Sequence, residues 1–124
     1  MVQERLAWFC DVFVEESAFT KAEARRILTR AAKHGLRAKL HADQLSDGGG
    51  ALLAAELGAL SADHLEHISD MGIAAMAAAG VVAVSLPLAT MYLNQPPMPA
   101  RRLIEAGVAV AVATDFNPGS APSF

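Results

Sequence analysis

The sequence predicts an α/β fold in which parallel strands alternate with helices. Two observations support this class. Four glycines each end a helix-like segment, and each is followed by an apolar, β-favouring run: Gly35, Gly58, Gly80 and Gly107. Glycine commonly follows the last helical turn because it adopts positive φ at little cost. Strict alternation of strand and helix implies parallel pairing with right-handed crossovers.

The individual elements follow from this punctuation. Thr20 and Glu23 form a T-x-x-E capping box, which starts a first helix running to Gly35. Three further helices are predicted: Gly50–Leu57, a segment from Ser69 to just before Gly80, and a segment from Pro99 to just before Gly107. Five strands are predicted between them: Leu6–Val14, Arg37–His41, Ala62–His67, Val81–Leu86 and Val108–Thr114. Nearly continuous apolar runs suit strands that are covered on both faces.

Composition excludes several classes of function. Apolar residues make up 53% and charged residues 19% of the 124 residues, and the net charge is −3. No basic patch or polybasic anchor is present, so nucleic-acid and membrane partners are not expected. Residues 71–100 carry no charge, but their glycines and Pro87 favour a short helix and a buried strand over a membrane span. The single cysteine, Cys10, cannot form an internal disulfide, which indicates a cytoplasmic protein.

Three polar residues occupy matching places at predicted strand ends. His41 and His64 each lie six residues after a helix-ending glycine, and Asp115 lies eight after Gly107. The carboxyl ends of parallel strands are where α/β proteins place ligands and catalysis. Each residue alone is as well explained by a structural hydrogen bond or a turn. Together, histidine and carboxylate are suitable ligands for zinc or iron.

Longer motifs carry a family resemblance. The segments are KLHADQ, SADHLEH and VAVATDFNPGSAP, preceded by FCDVFVEESAFTKAEARRIL. In this order and spacing, they resemble the imidazolonepropionase family of the amidohydrolase superfamily. The resemblance implies a partial TIM-type (β/α)8 barrel, in which residues 1–124 supply about five parallel strands, the fourth to the eighth. It also implies that the N-terminal strands, including a His-x-His pair, and the final helices are absent.

The resemblance assigns roles to individual residues. It implies His41 and Asp115 as ligands of one metal ion, zinc or iron, and His64 and Asp115 as catalytic residues. Gln44, His64, Asn117 and Gly119 would contact the substrate. Gln44 stands where some family members have glutamate; glutamine can orient a substrate but cannot accept a proton. Asp63 is expected to face the helices or form a salt bridge, because alternation directs it away from His64.

The implied reaction is hydrolysis of the cyclic amide of 4-imidazolone-5-propanoate to N-formimidoyl-L-glutamate, in histidine degradation. Two other interpretations remain open from the residues: another amidohydrolase, such as a ring-amidine deaminase, and a non-enzymatic flavodoxin-like binding module. A small-molecule substrate is expected, and the full-length enzyme is compatible with a homodimer. Because two ligands are too few for a catalytic metal site, the 124-residue chain alone is expected to lack significant activity.

Overall fold

The computed structural model describes residues 6–122, and these form a single parallel sheet with helices between its strands. The strands are β1 (Phe9–Val14), β2 (Arg37–Ala42), β3 (Ser61–His64), β4 (Val82–Ser85) and β5 (Val110–Val112). The helices are α1 (Lys21–Ala32), α2 (Gly50–Glu56), α3 (Asp70–Ala79), α4 (Pro87–Tyr92) and α5 (Ala100–Glu105). The predicted α/β alternation is confirmed.

Strand order in the sheet is β1-β2-β3-β4-β5, and every neighbouring pair is parallel. Each strand therefore lies beside the strand that follows it in the chain. A flavodoxin-like sheet has the order 2-1-3-4-5 and reverses direction at a switch point. The observed sequential order excludes that topology and is the order of an arc of a (β/α) barrel.

Local sequence signals explain where the helices begin and end. The Thr20 hydroxyl accepts a hydrogen bond from the backbone N–H of Glu23, and the Glu23 carboxylate accepts from the Thr20 backbone N–H at 2.9 Å. This completes the predicted capping box of α1. At the other end of a helix, Gly80 is the C-cap of α3 with φ +69°. All four helix-ending glycines have positive φ, as the punctuation predicts.

The core lies between the sheet and the helices. Alternate strand residues face α1, α2 and α3, and they are buried: Val12, Val14, Leu40, Ala42, Ala62 and Ala83. The intervening residues of β1 and β2 project from the opposite face. That second face carries Asp11, Phe13, Lys39 and His41, so one side of the sheet is apolar and the other is partly polar.

Several predicted strand bounds differ from the structure, with β1, β4 and β5 each shorter than predicted, and one observed helix was not predicted. β3 ends at His64 instead of His67, because His64 and Leu65 take positive φ values of +82° and +67° and turn the chain out of the sheet. Helix α4 was not predicted. Its N-cap residue, Leu86, has no side chain that can cap, so Pro87 in the first turn is the local signal for the start of this short helix.

The uncharged stretch from residue 71 to residue 100 contains most of α3, all of β4 and all of α4. Across residues 6–122, none of the helices combines the length and the hydropathy needed to cross a bilayer. The short helix predicted for this stretch is α3, and the predicted strand is β4, in which Ala83 is buried and the other three residues are half-buried.

Candidate metal centre

The structure brings His41, His64 and Asp115 together at the carboxyl ends of β2, β3 and β5. One potential ligand atom from each lies within 4.8 Å of the other two. The two imidazole centroids are 5.0 Å apart, and His64 Nε2 is 4.0 Å from Asp115 Oδ2. Residues 74 positions apart in the chain thus meet in one cluster, as their equivalent places in the strand pattern predict.

Backbone geometry at the end of β3 positions His64. The register pairs His64 with Ala42, and regular alternation would place its side chain on the apolar face with Ala62. The positive φ values at His64 and Leu65 break the alternation, and the His64 ring lies beside His41 instead. The Leu65 N–H donates to the Ala42 carbonyl at 3.0 Å, which holds this turn against β2.

His41 is enclosed by two residues of β1. Asp11 Oδ2 lies 2.6 Å from Nδ1 of His41, and the ring of Phe13 packs edge-on at a centroid distance of 5.6 Å. The close contact with Asp11 raises the pKa of His41 despite partial burial. Burial acts to raise the pKa of Asp11, but the contact with His41, the charge of Lys39 and the backbone of Val12 together outweigh it, and the pKa is lowered. The pair therefore favours charged forms on both sides.

His64 has the opposite electrostatic environment. Burial, reinforced by repulsion from His41, lowers the pKa of His64 to about 4, and Asp115 only partly offsets this. The imidazole of His64 is therefore neutral at pH 7. Its Nδ1 is buried without a hydrogen-bond partner. A neutral ring can donate one hydrogen bond and accept another, and it can coordinate a metal.

Glu66 lies behind His64 and was not anticipated from the sequence. Its carboxylate accepts a 2.6 Å hydrogen bond from the Thr90 hydroxyl on α4, and Oε1 is 4.0 Å from His64 Nδ1. Burial raises the pKa of Glu66. The helix that supplies Thr90 is the one the sequence did not predict, so no pattern in the chain pointed to this contact.

The residues after Asp115 form a tight loop around its carboxylate. The Asn117 side-chain amide donates to the Asp115 carbonyl at 2.7 Å and to Asp115 Oδ2 at 3.3 Å. Its amide oxygen accepts from the backbone N–H groups of Gly119 and Ser120, both at 2.8 Å. Asn117 therefore contacts the cluster directly, and Gly119 is connected to it through Asn117.

Gln44 lies on a different loop. Its side chain is buried, three residues after His41, and it makes no hydrogen bond to the three clustered residues within the described part of the chain. Neighbouring Asp43 anchors that loop, because its carboxylate accepts from the N–H groups of Gly50 and Ala51 at 2.8 and 3.0 Å. Any contact of Gln44 with a substrate stays a prediction.

Asp63 forms a salt bridge, one of the two outcomes expected for it. Its carboxylate lies 3.3 Å from Lys39 Nζ and accepts a 2.8 Å hydrogen bond from the Ser61 hydroxyl. The register pairs Asp63 with His41, so it lies on the polar face and not against the helices. Lys39 and Ser61 hold it in place beside the cluster.

The donor set is compatible with a metal ion. Two imidazoles and a carboxylate are ligand types that zinc and iron accept. Three protein donors that leave a position for water are the usual composition of a catalytic zinc site. His64 Nε2, 4.0 Å from Asp115 Oδ2, is the ring nitrogen turned toward the other potential ligands.

Comparison with curated proteins gives strong sequence matches. The chain is 59% identical to an imidazolonepropionase of Anaeromyxobacter dehalogenans over 124 residues, or 99% of its length. It is 58% identical over 118 residues to one of Bacteroides fragilis and 50% identical over 121 residues to one of Thermoanaerobacter pseudethanolicus. By sequence, the chain is similar to one stretch of these imidazolonepropionases. It spans about 30% of the length of these imidazolonepropionase relatives, and no protein-family model matches it.

Solved structures confirm the fold. One match is an adenosine deaminase from Xanthomonas campestris with bound zinc, at a TM-score of 0.66 and 24% identity. The match covers 84% of this chain and 27% of the deaminase chain. Another is a guanine deaminase from C. acetobutylicum with bound guanine, at a TM-score of 0.70 and 17% identity. This match covers 89% of this chain and 30% of the deaminase chain. The chain therefore shares its fold with a segment of each of these two structures.

Proposed function

We propose that residues 1–124 form part of a metal-dependent amidohydrolase barrel that hydrolyses the cyclic amide of 4-imidazolone-5-propanoate to N-formimidoyl-L-glutamate. The observation that carries the metal-dependent chemistry is the convergence of His41, His64 and Asp115 at one end of the sheet. The substrate rests on 50–59% identity to imidazolonepropionases. The proposed partner is a small molecule, and the proposed compartment is the cytoplasm.

In this proposal, His41 and Asp115 hold one zinc or iron ion. Such an ion lowers the pKa of a bound water toward about 7 and polarises a substrate carbonyl. Asp115 also accepts the proton of the attacking water and passes it to the leaving ring nitrogen. Its close packing with Asn117 supports this, because the loop fixes the carboxylate near the cluster.

His64 is proposed to act on the substrate carbonyl. Its neutral ring, whose pKa is lowered to about 4, can donate a hydrogen bond to the oxyanion that develops on hydrolysis. One such donor typically contributes about 3–4 kcal/mol to transition-state stabilisation. A ring nitrogen of His64 also lies within 4.8 Å of a potential ligand atom of His41 and of Asp115. Metal binding and carbonyl binding would therefore compete for the His64 side chain. Gln44, Asn117 and Gly119 are proposed to contact the substrate.

Metal binding by the 124-residue chain tests the site directly. Titration with Co²⁺, followed by its visible absorption and by elemental analysis, is expected to give one bound ion per chain, because His64 offers a third donor within 4.8 Å of those of His41 and Asp115. His41→Ala and Asp115→Ala should each abolish stoichiometric binding. The matched control is His34→Ala, since His34 is an exposed histidine at the end of α1. Equal loss in the control, or no loss in the two site variants, would show that the cluster is not a metal site.

The substrate is tested by placing this chain within a full-length enzyme. A chimera in which this chain replaces the matched stretch of the Anaeromyxobacter dehalogenans relative is expected to open the ring of 4-imidazolone-5-propanoate. The isolated chain is expected to show no turnover. Turnover of a ring-amidine deaminase substrate by the chimera, without opening of imidazolonepropanoate, would favour the deaminase interpretation and exclude the proposed substrate.

A further inference from the structure

The contact between Asp11 and His41 gives Asp11 a role that the motifs do not assign. β1 and β2 pair in register, with Asp11 opposite Lys39 and Phe13 opposite His41. Residues two apart on a strand share a face, so all four side chains project from the polar side of the sheet. The Asp11 carboxylate therefore lies diagonally across from His41 on the neighbouring strand, and Oδ2 of Asp11 is 2.6 Å from Nδ1 of His41.

The contact selects which ring nitrogen of His41 is free. In a neutral imidazole, one nitrogen carries the proton and the other carries the lone pair that a metal needs. A carboxylate beside Nδ1 favours the proton there, because an ionised carboxylate can only accept hydrogen bonds. The lone pair is then on Nε2. Histidine ligands in metalloproteins commonly make such a contact with their second nitrogen.

The carboxylate of Asp63 is also close to His41, but both of its oxygens already contact other side chains. Asp63 is opposite His41 in the register of β2 and β3. Its two oxygens contact the Ser61 hydroxyl and Lys39 Nζ. Asp11 has no comparable salt bridge to a lysine or arginine among residues 6–122, and its nearest charged partner is the His41 ring. The geometry therefore distinguishes the two carboxylates.

The packing of Phe13 adds a second constraint on the ring. Its edge-on contact at 5.6 Å, with an interplanar angle of 63°, limits rotation of the imidazole from the β1 side. The Nδ1 atom of His41 is buried, and it lies 2.6 Å from Asp11 Oδ2 without the alignment of a standard hydrogen bond. Metal loading is expected to align this contact, as catalytic hydrogen bonds often tighten only when a site is occupied.

We propose that Asp11 is a positioning residue, which holds the Nδ1–H of His41 so that Nε2 faces the metal shared with Asp115. This inference rests on the proposed metal site and adds a residue from the neighbouring strand to it. Asp11 does not touch the substrate or the metal in this arrangement. Its effect passes through the orientation and tautomer of His41.

Two measurements on the 124-residue chain test the proposal. The first is the ¹⁵N chemical shifts of the His41 ring in the metal-free protein, at a pH where the imidazole is neutral. The wild type is expected to show the Nδ1–H tautomer, and Asp11→Ala should shift the ring toward Nε2–H. The second is the Co²⁺ dissociation constant, which Asp11→Ala should raise by about 10–100-fold, the usual range for losing such a contact.

Two variants control for charge and for folding. Asp63→Asn removes one negative charge from the same face and should leave both the tautomer and the Co²⁺ affinity near wild type. Asp11→Asn keeps an oxygen that can accept from Nδ1–H, so it should recover part of the affinity lost in Asp11→Ala. Circular dichroism spectra and thermal midpoints of all variants establish that each is folded.

The outcomes separate the two proposals. Failure of the wild-type chain to bind Co²⁺ would overturn the metal site, whereas the tautomer of His41 would still decide the role of Asp11. An Nδ1–H tautomer that persists in Asp11→Ala, or Co²⁺ affinity unchanged by that substitution, would overturn the positioning role. Equal effects of Asp11→Ala and Asp63→Asn would reduce Asp11 to a general charge contribution and would also overturn it.

Discussion

Several residues around the cluster have a backbone conformation that side chains other than glycine rarely adopt. Asp43, His64 and Asp115 have φ values of +49°, +82° and +54°. For an L-residue, the left-handed region costs roughly 1–2 kcal/mol. Such strain persists only where the surrounding structure enforces it, and it concentrates at functional sites. At His64 the strained turn is what places the ring beside His41.

The first prediction isolates this strain by comparing two truncations of His64. His64→Ala and His64→Gly both remove the ring, but only glycine accepts φ +82° without cost. His64→Gly should therefore be more stable than His64→Ala by about 1–2 kcal/mol. Urea unfolding of the two variants at pH 7 measures the difference.

A regular strand position provides the control. Ala83 lies in β4 and is fully buried. There Ala83→Gly should lower stability by at least about 0.5–1 kcal/mol, because glycine loses more conformational freedom on folding. The two sites thus respond to glycine with opposite signs. A glycine penalty at both positions would mean that the turn at His64 is not strained.

At the scale of elements, the capping box of α1 gives a pH-dependent contribution to stability. The hydrogen bond from the Thr20 hydroxyl is the largest cause that lowers the pKa of Glu23 below its usual 4.5. A carboxyl group with a lowered folded-state pKa stabilises the fold above the unfolded pKa, and this contribution disappears as pH falls through the folded value. The stability that the Glu23 carboxylate contributes is therefore lost as the pH falls below about 4.5.

The second prediction follows from that sign. Glu23→Gln should lower the thermal midpoint at pH 7, and the difference from the wild type should shrink as pH falls below about 4.5, because the wild-type carboxylate then takes up a proton. Thermal unfolding followed by circular dichroism from pH 7 to pH 3 measures the gap between the two proteins. Glu105→Gln, at the exposed end of α5, should follow the wild type throughout. If the difference in thermal midpoint between the two proteins did not change with pH, the stabilisation by the capping box would not depend on the charge of Glu23.

The third prediction concerns the packing of α2 against α3. A Cβ atom at Gly72 would lie 2.9 Å from Ile68 Cγ1 and 3.1 Å from Ala51 Cβ. In an exposed helix, replacing glycine by alanine gains about 1 kcal/mol. Here the added methyl group has no room, and overpacking typically costs about 1–3 kcal/mol.

Opposite substitutions in one helix make this testable. Gly72→Ala should lower the free energy of unfolding because of the clash, and Ala74→Gly, at an exposed position of α3, should lower it by about 1 kcal/mol through helix propensity. Denaturant unfolding of both variants gives the two values. Stabilisation by Gly72→Ala would show that α2 and α3 can separate without cost.

The whole molecule shows which features the sequence could predict. Regular glycines and apolar runs specified the alternation of elements, and equivalent strand ends placed His41, His64 and Asp115 in one cluster. Asp11 was missed because its role depends on the register of two neighbouring strands, which periodicity does not specify. Glu66 was missed because its partner, Thr90, lies on α4, a helix without a capping signal.

The sheet as a whole also has two unpaired edges within the described residues, since β1 and β5 each pair on one side only. Unpaired strand edges with apolar side chains promote association between chains. On β5, Val112 is 71% exposed, and the strand VAV carries no charge that would oppose pairing. On β1, Phe9 is 46% exposed. The isolated 124-residue chain is therefore expected to self-associate through these edges as its concentration rises.

A charge at the β5 edge tests whether association occurs there. Val112→Lys should shift the concentration at which sedimentation velocity detects oligomers to a higher value, because lysine on an edge strand opposes pairing. Met71→Lys is the matched control: Met71 is 69% exposed but lies in α3, away from both edges. Both variants add the same charge, so a difference between them depends on position and not on net charge. Equal behaviour of the two variants, or a wild-type chain that stays monomeric at every concentration, would contradict edge pairing and would indicate that the exposed backbone of β5 is protected in solution.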